Sequence, residues 1–374
     1  MMRPRLRFTW RTLASGSVVA LLIAGMVWGG LNRKYLYARY TVFRLVHSDK
    51  ANRATWLQRI VRLGPDAGPI LAGWLTSADP SVCDIARSGL LLLIMADHGP
   101  AASSLLHQLA TRFPQLGPYG QEAILEIERV WLERKPLSEA SFAVAQTLRA
   151  ALSSGDTNVR GRAMTLSLAL LDVTADAEAV ALGKEWVHWG LRDIDPANRI
   201  RAIQLARHPR MQLLTPLTSL LNDPSPSVRQ AVLLALGPAT DVVRSDELLR
   251  ALHDPDPDVR RLCEAALRGR GLTDNHLQCG RLLTDSRPQH RLKLLEGLAR
   301  TPELEPGIWL RHLSHDPEPA IRAAAIRAAV EQHGVDFADR LEQMASGDAS
   351  ETVRQLAKHY LSYRKSENPS FLRP

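Results

Sequence analysis

The heptapeptide Asp223-Pro224-Ser225-Pro226-Ser227-Val228-Arg229 constrains this chain more than any other feature, because close copies return at a nearly fixed interval. Asp254-Pro255-Asp256-Pro257-Asp258-Val259-Arg260 begins 31 positions further on, and Asp316-Pro317-Glu318-Pro319-Ala320-Ile321-Arg322 begins 62 positions after that. A degenerate copy from Asp285 to Arg291 fills the step between, and another runs from Asp348 to Arg354 with Ala349 in place of the first proline. Self-similarity at this period marks stacked supersecondary units, none able to bury its apolar face alone. A chain of 374 residues built this way grows by addition, so its length counts repeats, not globular domains.

Looser matches at Asp49, Asp79-Pro80, Asp156 and Asp195-Pro196, with one more unit implied near Gly117 to Trp131, extend the series to about ten units. After each Asp the chain turns helical in period: Val228, Ala231, Val232, Ala235 and Leu236 share one face. The Asp is placed to accept hydrogen bonds from the first free N–H groups of that helix, and a proline in the first turn has no N–H to orphan there. Gly237-Pro238 ends the helix. Upstream, Ser245 to Leu252 is also helical in period, so two helices per unit are expected. Alanines at 323–325, 328 and 329 would let neighbouring helices approach closely. No alternating Val/Ile/Thr run bounded by turn residues is present, so the expected fold is all-α, an α-solenoid without sheet.

The Asp-Pro-x-Pro-x-Val-Arg turn followed by Ala-rich, Leu-ending helices resembles the HEAT repeat, particularly the short HEAT-like type also found in phycobilin lyases. The likeness covers roughly Asp49 to Tyr363 as a pattern and is specific between Asp195 and Lys358. It implies a right-handed superhelix of antiparallel helix pairs whose second helices line the concave side. It also implies a chiefly structural role for Asp223 and Arg229, Asp254 and Arg260, Asp316 and Arg322, and Asp348 and Arg354. Between Asp285 and Arg291, Ser286 replaces the first proline and His290 the valine, which leaves the packing of that unit in doubt. Lyase activity does not follow from a repeat shared so widely.

The formal charge of +8 suggests a polyanion partner until it is mapped. Arg3, Arg5, Arg7, Arg11, Arg33, Lys34, Arg39 and Arg44 lie within the first 44 residues, which hold no Asp or Glu. Removing these 8 from the 47 basic residues leaves 39 against 39 acidic ones, so the repeat region is neutral. Within the basic stretch, Leu13 to Leu31 carries no charge over 19 residues, about 28 Å of helix. Trp10, Arg11, Trp28, Arg33, Lys34, Tyr35 and Tyr37 flank it as interfacial anchors would. The expected organisation is a basic tail over 1–12, a transmembrane helix over 13–31, a basic juxtamembrane segment over 32–48, the solenoid over 49–363 and a flexible tail over 364–374. The expected location is a single-pass membrane protein with its repeats on the non-cytoplasmic side. A cleaved signal peptide, giving a secreted soluble solenoid, is the alternative.

The recurring Arg229, Arg260, Arg291, Arg322 and Arg354 could track a phosphate backbone. The acid six positions before each one, Asp223, Asp254, Asp285, Asp316 and Asp348, favours an Asp/Arg ladder within or between repeats. At 100° per residue from Val228, Gln230, Leu234 and Gly237 point away from the core, as do Arg261, Ala265 and Arg268 in the next unit and Arg327 and Val330 later. That mixed face suits protein partners. Trp186 and Trp189 are expected to fill a wide repeat junction. Cys83, Cys263 and Cys279 form no metal-binding spacing, the histidines His98, His107, His312 and His315 no zinc-enzyme pairing, and no phosphate loop or nucleophile elbow is present. The function expected is therefore a noncatalytic, membrane-anchored scaffold for protein partners, with no cofactor, metal, nucleic acid or small-molecule substrate. The alternative is an enzyme on a HEAT-like frame, of chromophore lyase or DNA glycosylase type.

Overall fold

The structure, a computed structural model, describes residues 32–96, 100–134, 138–174, 176–300, 304–332 and 335–367. Among the described residues every regular element is helical. The chain divides into two compact units, one ending at Gln212 and one beginning at Leu213. In the first, Lys50–Leu63, Pro80–Ala96, Pro118–Arg134, Thr157–Val173 and Pro196–Ala206 pack each on the next as one row. Gly68–Trp74, Pro100–Arg112, Ser138–Ala151 and Ala177–Gly190 form the row beside it. This is a solenoid-like stack in which each helix buries its apolar stripe on the preceding and following units.

The second unit repeats the plan. Its longer helices are Pro226–Leu236, Pro257–Gly269, Pro288–Arg300, Pro319–Arg327 and Glu351–Glu367. The facing row opens with tight turns: Thr215–Asn222 is 3-10, and Ser245–Leu248 passes into 3-10 over Leu249–His253, where a longer helix was expected. Successive long helices pack together except Pro257–Gly269 and Pro288–Arg300, which share little contact. Val228, Val232, Ala235 and Leu236 are buried as the period required, while Gly237 is also buried, where a Cβ would sit 3.1 Å from that of Ala266.

Helix starts differ from expectation in one detail. The second proline, not the first, opens each long helix, at Pro226, Pro257 and Pro319. The leading Asp223 and Asp254 close the preceding 3-10 turns instead of capping the next helix. The N-cap position falls two residues later, and of Ser225, Asp256 and Glu318 it is Asp256 whose side chain caps, accepting from the N–H groups of Asp258 and Val259. In the first unit Asp156 and Asp195 are themselves such N-caps.

Trp186 and Trp189, three apart on Ala177–Gly190, part company: Trp186 is buried and Trp189 is 62% exposed. Trp186 is flanked along its helix by Gly183 and Gly190, which admit neighbours closely. A Cβ on Gly190 would stand 2.6 Å from both the Ala202 Cβ and the Met164 Sδ. The large residue between two small ones lets the helix settle on both neighbours without a void.

The segment 32–48 is a helix, Arg33–Val46, which packs Ala38, Thr41, Val42, Leu45 and Val46 inward and lies on Lys50–Leu63. Arg33, Lys34, Tyr35 and Tyr37 are exposed on it, and Arg44 stacks on Trp56, whose other cationic neighbour is Arg59. The expected single-pass membrane location is corrected: among the described residues no helix is long and apolar enough to cross a membrane. The longest of them, such as Pro80–Ala96 and Thr157–Val173, have 17 residues, about 25 Å against about 30 Å of hydrocarbon, and their apolar stripes are covered by neighbouring helices. Leu13 to Leu31, with Trp10 and Trp28, lies outside the described residues.

The three thiols are buried, and burial pushes Cys263 up to about 12 and Cys279 up to about 11. One carboxyl shares their situation. Glu128 is fully buried, accepts from the Thr147 hydroxyl at 2.7 Å and has no partner for its other oxygen. Burial raises its pKa to about 8.

Two outcomes are expected. Gly190→Ala, forced against a rigid alanine, lowers unfolding free energy by about 1–3 kcal/mol in denaturant titrations, whereas Trp189→Ala changes it little. For Glu128, the unfolded chain releases its proton at lower pH than the folded one, so stability falls as pH rises from the ordinary carboxyl value to about 8. Glu128→Gln removes that slope and gains about 2–4 kcal/mol at pH 8.5; equal pH profiles for the two proteins refute the assignment.

Candidate functional site

The recurring arginines are oriented from two sides. Arg229 donates from Nη1 to the carbonyl oxygens of Asp223 (2.7 Å) and Pro224 (3.3 Å) in its own loop. Its Nε and Nη2 reach the next unit and donate to the two carboxylate oxygens of Asp254, both at 2.7 Å. Arg291 treats Asp285 and Ser286 in the same way and grips Asp316 at 2.6 and 2.9 Å. Arg322 holds the carbonyls of Asp316 and Pro317 and grips Asp348 at 2.8 and 2.7 Å. The arginine therefore touches only the backbone of its own motif's Asp and pairs with the side chain of the following one. Each gripped Asp also accepts from the N–H two residues on, at Asp256, Glu318 and Ser350.

Side chains in these three pairs keep 10% or less of their surface. Ions that dry are costly unless every donor and oxygen is satisfied, as here. The Arg322 hydrogen bond holds the Asp348 carboxyl below its ordinary value, and the bond to Asp316 raises the Arg291 guanidinium.

The first unit holds an equivalent pair that the sequence reading missed. Arg160 donates to Asp193 at 2.7 and 3.2 Å and anchors its Nη1 on the carbonyls of Ser154 and Gly155. Reading Asp195-Pro196 as the motif start placed the frame two residues late. The missed signal is Asp193, Pro196 and Arg199, which keep the spacing of Asp223, Pro226 and Arg229 although Ile194 replaces the first proline. Arg199 likewise donates to the carbonyls of Asp193 and Ile194.

Two expected members of the column behave differently. Arg354 bonds the Asp348 carbonyl and pairs with Glu351. Arg260 anchors on the carbonyls of Asp254 (2.7 Å) and Pro255 (3.1 Å), but among the described residues no ion pair joins it to Asp285. That carboxylate is taken by Arg287 at 3.0 Å and His290 at 2.8 Å, the Arg287 bond being the main cause of its depressed pKa. His290 stands where the other units have a buried valine or isoleucine; it is half-buried and bonded to Asp285.

On the proposed partner face, Leu234, Arg261, Arg268 and Arg327 are exposed, whereas Gln230 and Val330 are half-buried. Gln230 donates to Asp256, Arg261 pairs with Asp258, and Arg268 pairs with Asp274. Beside them an apolar groove of about 380 Å³ runs between Pro226–Leu236 and Pro257–Gly269, lined by Leu233, Leu234, Pro238, Leu262, Ala265 and Ala266. Its floor is braced by Arg270, which donates to the carbonyls of Leu236, Gly237 and Val243 at the end of the first helix. A polar groove of about 470 Å³ crosses Pro118–Arg134, Thr157–Val173 and Pro196–Ala206, and there Glu122 pairs with Arg162 and Glu126 with Arg129. Among the described residues no three His, Cys, Asp or Glu side chains are grouped to hold a metal.

Residues 185–268 and 279–362 match the family model for HEAT repeats. Over those two stretches the repeats are HEAT repeats. No curated protein matches the chain significantly. Among solved structures, an engineered protein from a structural genomics consortium is 17% identical, covering 88% of this chain and 94% of its own, with a TM-score of 0.38. A structure of microtubule polymerases with tumor overexpressed gene domain arrays, described in terms of tubulin recruitment and assembly, is 13% identical, covering 86% and 91%, with a TM-score of 0.28. Superpositions this loose carry no argument about partner or mechanism.

Breaking a satisfied rung strands the other charge. Arg291→Gln is expected to cost about 3–5 kcal/mol of unfolding free energy, and Arg261→Gln, at an exposed pair, less than about 1 kcal/mol. Equal costs in chemical denaturation would contradict the ladder's geometry.

Proposed function

We propose that this chain is a noncatalytic scaffold whose HEAT repeats present a helix row to protein partners. The observation that supports this most is the apolar groove beside Leu234, a residue 54% exposed, with the ion pairs Arg261–Asp258 and Arg268–Asp274 next to it. An exposed leucine over a groove lined by alanine, leucine and proline suits an apolar side chain from another polypeptide, and the paired ions around it form the polar rim of an interface. The groove is open and shallow and brings no nucleophile, base and oxyanion donor together, so binding is the reading it supports better.

The enzyme alternatives gain no comparable support. A DNA glycosylase needs a cationic groove with a carboxylate free to act, and in the groove at Arg162 the carboxylates of Glu122 and Glu126 are held by arginines. Partners are proteins on this reading, without nucleic acid or small substrate.

A photo-crosslinking amino acid at position 234 of the full-length protein is expected to capture discrete protein adducts in cells. The same probe at position 189, the exposed Trp189 site on Ala177–Gly190, is not expected to yield those adducts. Leu234→Glu should reduce co-purification of the captured species by about tenfold or more, the effect of a charge in an apolar contact. Identical adducts from both positions, or adducts indifferent to Leu234→Glu, would discard this face.

A further inference from the structure

Arg260 differs from its counterparts in one respect. Arg229, Arg291 and Arg322 each fix their guanidinium plane with Nη1 on two carbonyls of their own loop, leaving the Nε and Nη2 edge to take both oxygens of a carboxylate. Arg260 keeps the anchor, with a 2.7 Å bond to the first carbonyl against 2.7 to 2.8 Å in the three complete rungs, so its outer edge is aimed as theirs are. What is missing, among the described residues, is the acceptor. Asp285 is engaged by Arg287 and His290, Asp258 by Arg261, and Asp256 by Gln230 and two backbone N–H groups. Nor is the edge sealed: Arg260 is half-buried, and neither nitrogen is among the buried side-chain atoms that lack a partner. It lies at the step where Pro257–Gly269 and Pro288–Arg300 share little contact.

We propose that the Nε and Nη2 edge of Arg260 is a receptor for a carboxylate from outside the chain, supplied by an Asp or Glu side chain of a protein partner. The three complete rungs are internal examples of what such an edge accepts: a planar group with two oxygens spaced for parallel N–H bonds. The anchor has already fixed the guanidinium's orientation, so binding costs little further side-chain entropy. The assignment stands on the ladder alone and not on the groove at Leu234, so either can fail without the other.

The test uses the full-length protein, labelled on arginine nitrogen, with the Nε–Hε resonances read by NMR. Acetylated and amidated hexaglutamate is one probe and glutarate the other. Hexaglutamate is expected to shift the resonance that Arg260→Gln removes, and that variant should bind it about tenfold or more weakly, the loss expected for a charge-assisted pair. Arg261→Gln should bind as the parent does. Because Arg260 has no partner across the step among the described residues, Arg260→Gln should keep the parent's helical circular dichroism. A double variant, Arg287→Ala with His290→Val, frees Asp285 to close the rung and should lose the site while staying folded. Glutarate binding as tightly, with the same dependence on Arg260, would keep the receptor but overturn the polypeptide source. Hexaglutamate binding indifferent to Arg260→Gln would overturn the site, as would a shift of the Arg260 resonance on Asp285→Asn, which would mean the rung is already closed.

Discussion

A guanidinium held between two loops is the interaction on which the rest of the stack depends. Arg229, Arg291 and Arg322 each spend one nitrogen on the backbone of their own turn and two on the aspartate of the next. That aspartate then closes its own turn through the N–H two residues on. One side chain thus fixes the conformation of a loop, the conformation of its neighbour and the distance between them. The reach of an arginine is constant, so the chain length consumed per unit must be nearly constant as well. With Asp193 restored to the series, Asp193, Asp223, Asp254, Asp285, Asp316 and Asp348 follow one another at 30 to 32 residues.

Such pairs supply specificity more than raw stability, because two dry ions recover little beyond their desolvation cost. Stability comes from the apolar stripes between rows, and there the limiting quantity is approach distance. Gly190 against the Ala202 Cβ and Met164 Sδ, and Gly237 against the Ala266 Cβ, show small neighbouring side chains pressed close to a helix backbone that carries none. The helix ends are satisfied by other arginines. Arg270 covers the carbonyls closing Pro226–Leu236, and Arg340 does the same for Ser314 after Pro306–Leu313. Positive charge at a helix C-terminus is favoured by the dipole as well as by the free carbonyls.

The buried face of Pro226–Leu236 was legible because a helical period is a local property, readable from Val228, Val232, Ala235 and Leu236 alone. The prolines were legible for the same reason, although which of the two opens the helix depends on where the loop turns. The sequence left the motif's aspartate two readings, a helix cap and a ladder within or between repeats; that its partner is the arginine 25 residues earlier, as Arg229 is to Asp254, is visible only in the stacked geometry. Asp193 escaped because the frame was anchored on Asp-Pro, and Ile194, 84% exposed, shows that the first proline position is surface loop with little demand on its residue. The partner face was half legible. Leu234 and Arg327 are exposed as their angles required, while Gly237 is covered by Ala266 of the next unit and Val330 is half-buried.

Counting charges and asking which charges are available give different answers here. A column of arginines at a fixed interval looks like a track for phosphates, and composition alone cannot dismiss it. Once Arg229, Arg291 and Arg322 are seen to hold a carboxylate edge to edge, with Nη1 on their own loops, every guanidinium nitrogen of these three is engaged and their charge is balanced in place. The same reasoning isolates the exception. Where Ser286 stands for proline and His290 for valine, Asp285 is engaged by Arg287 and His290, and among the described residues Arg260 keeps its anchor without a carboxylate. In a stack of near-identical units, a departure from the repeat is where function can be added without altering the frame, because neighbouring units continue to hold the step on either side.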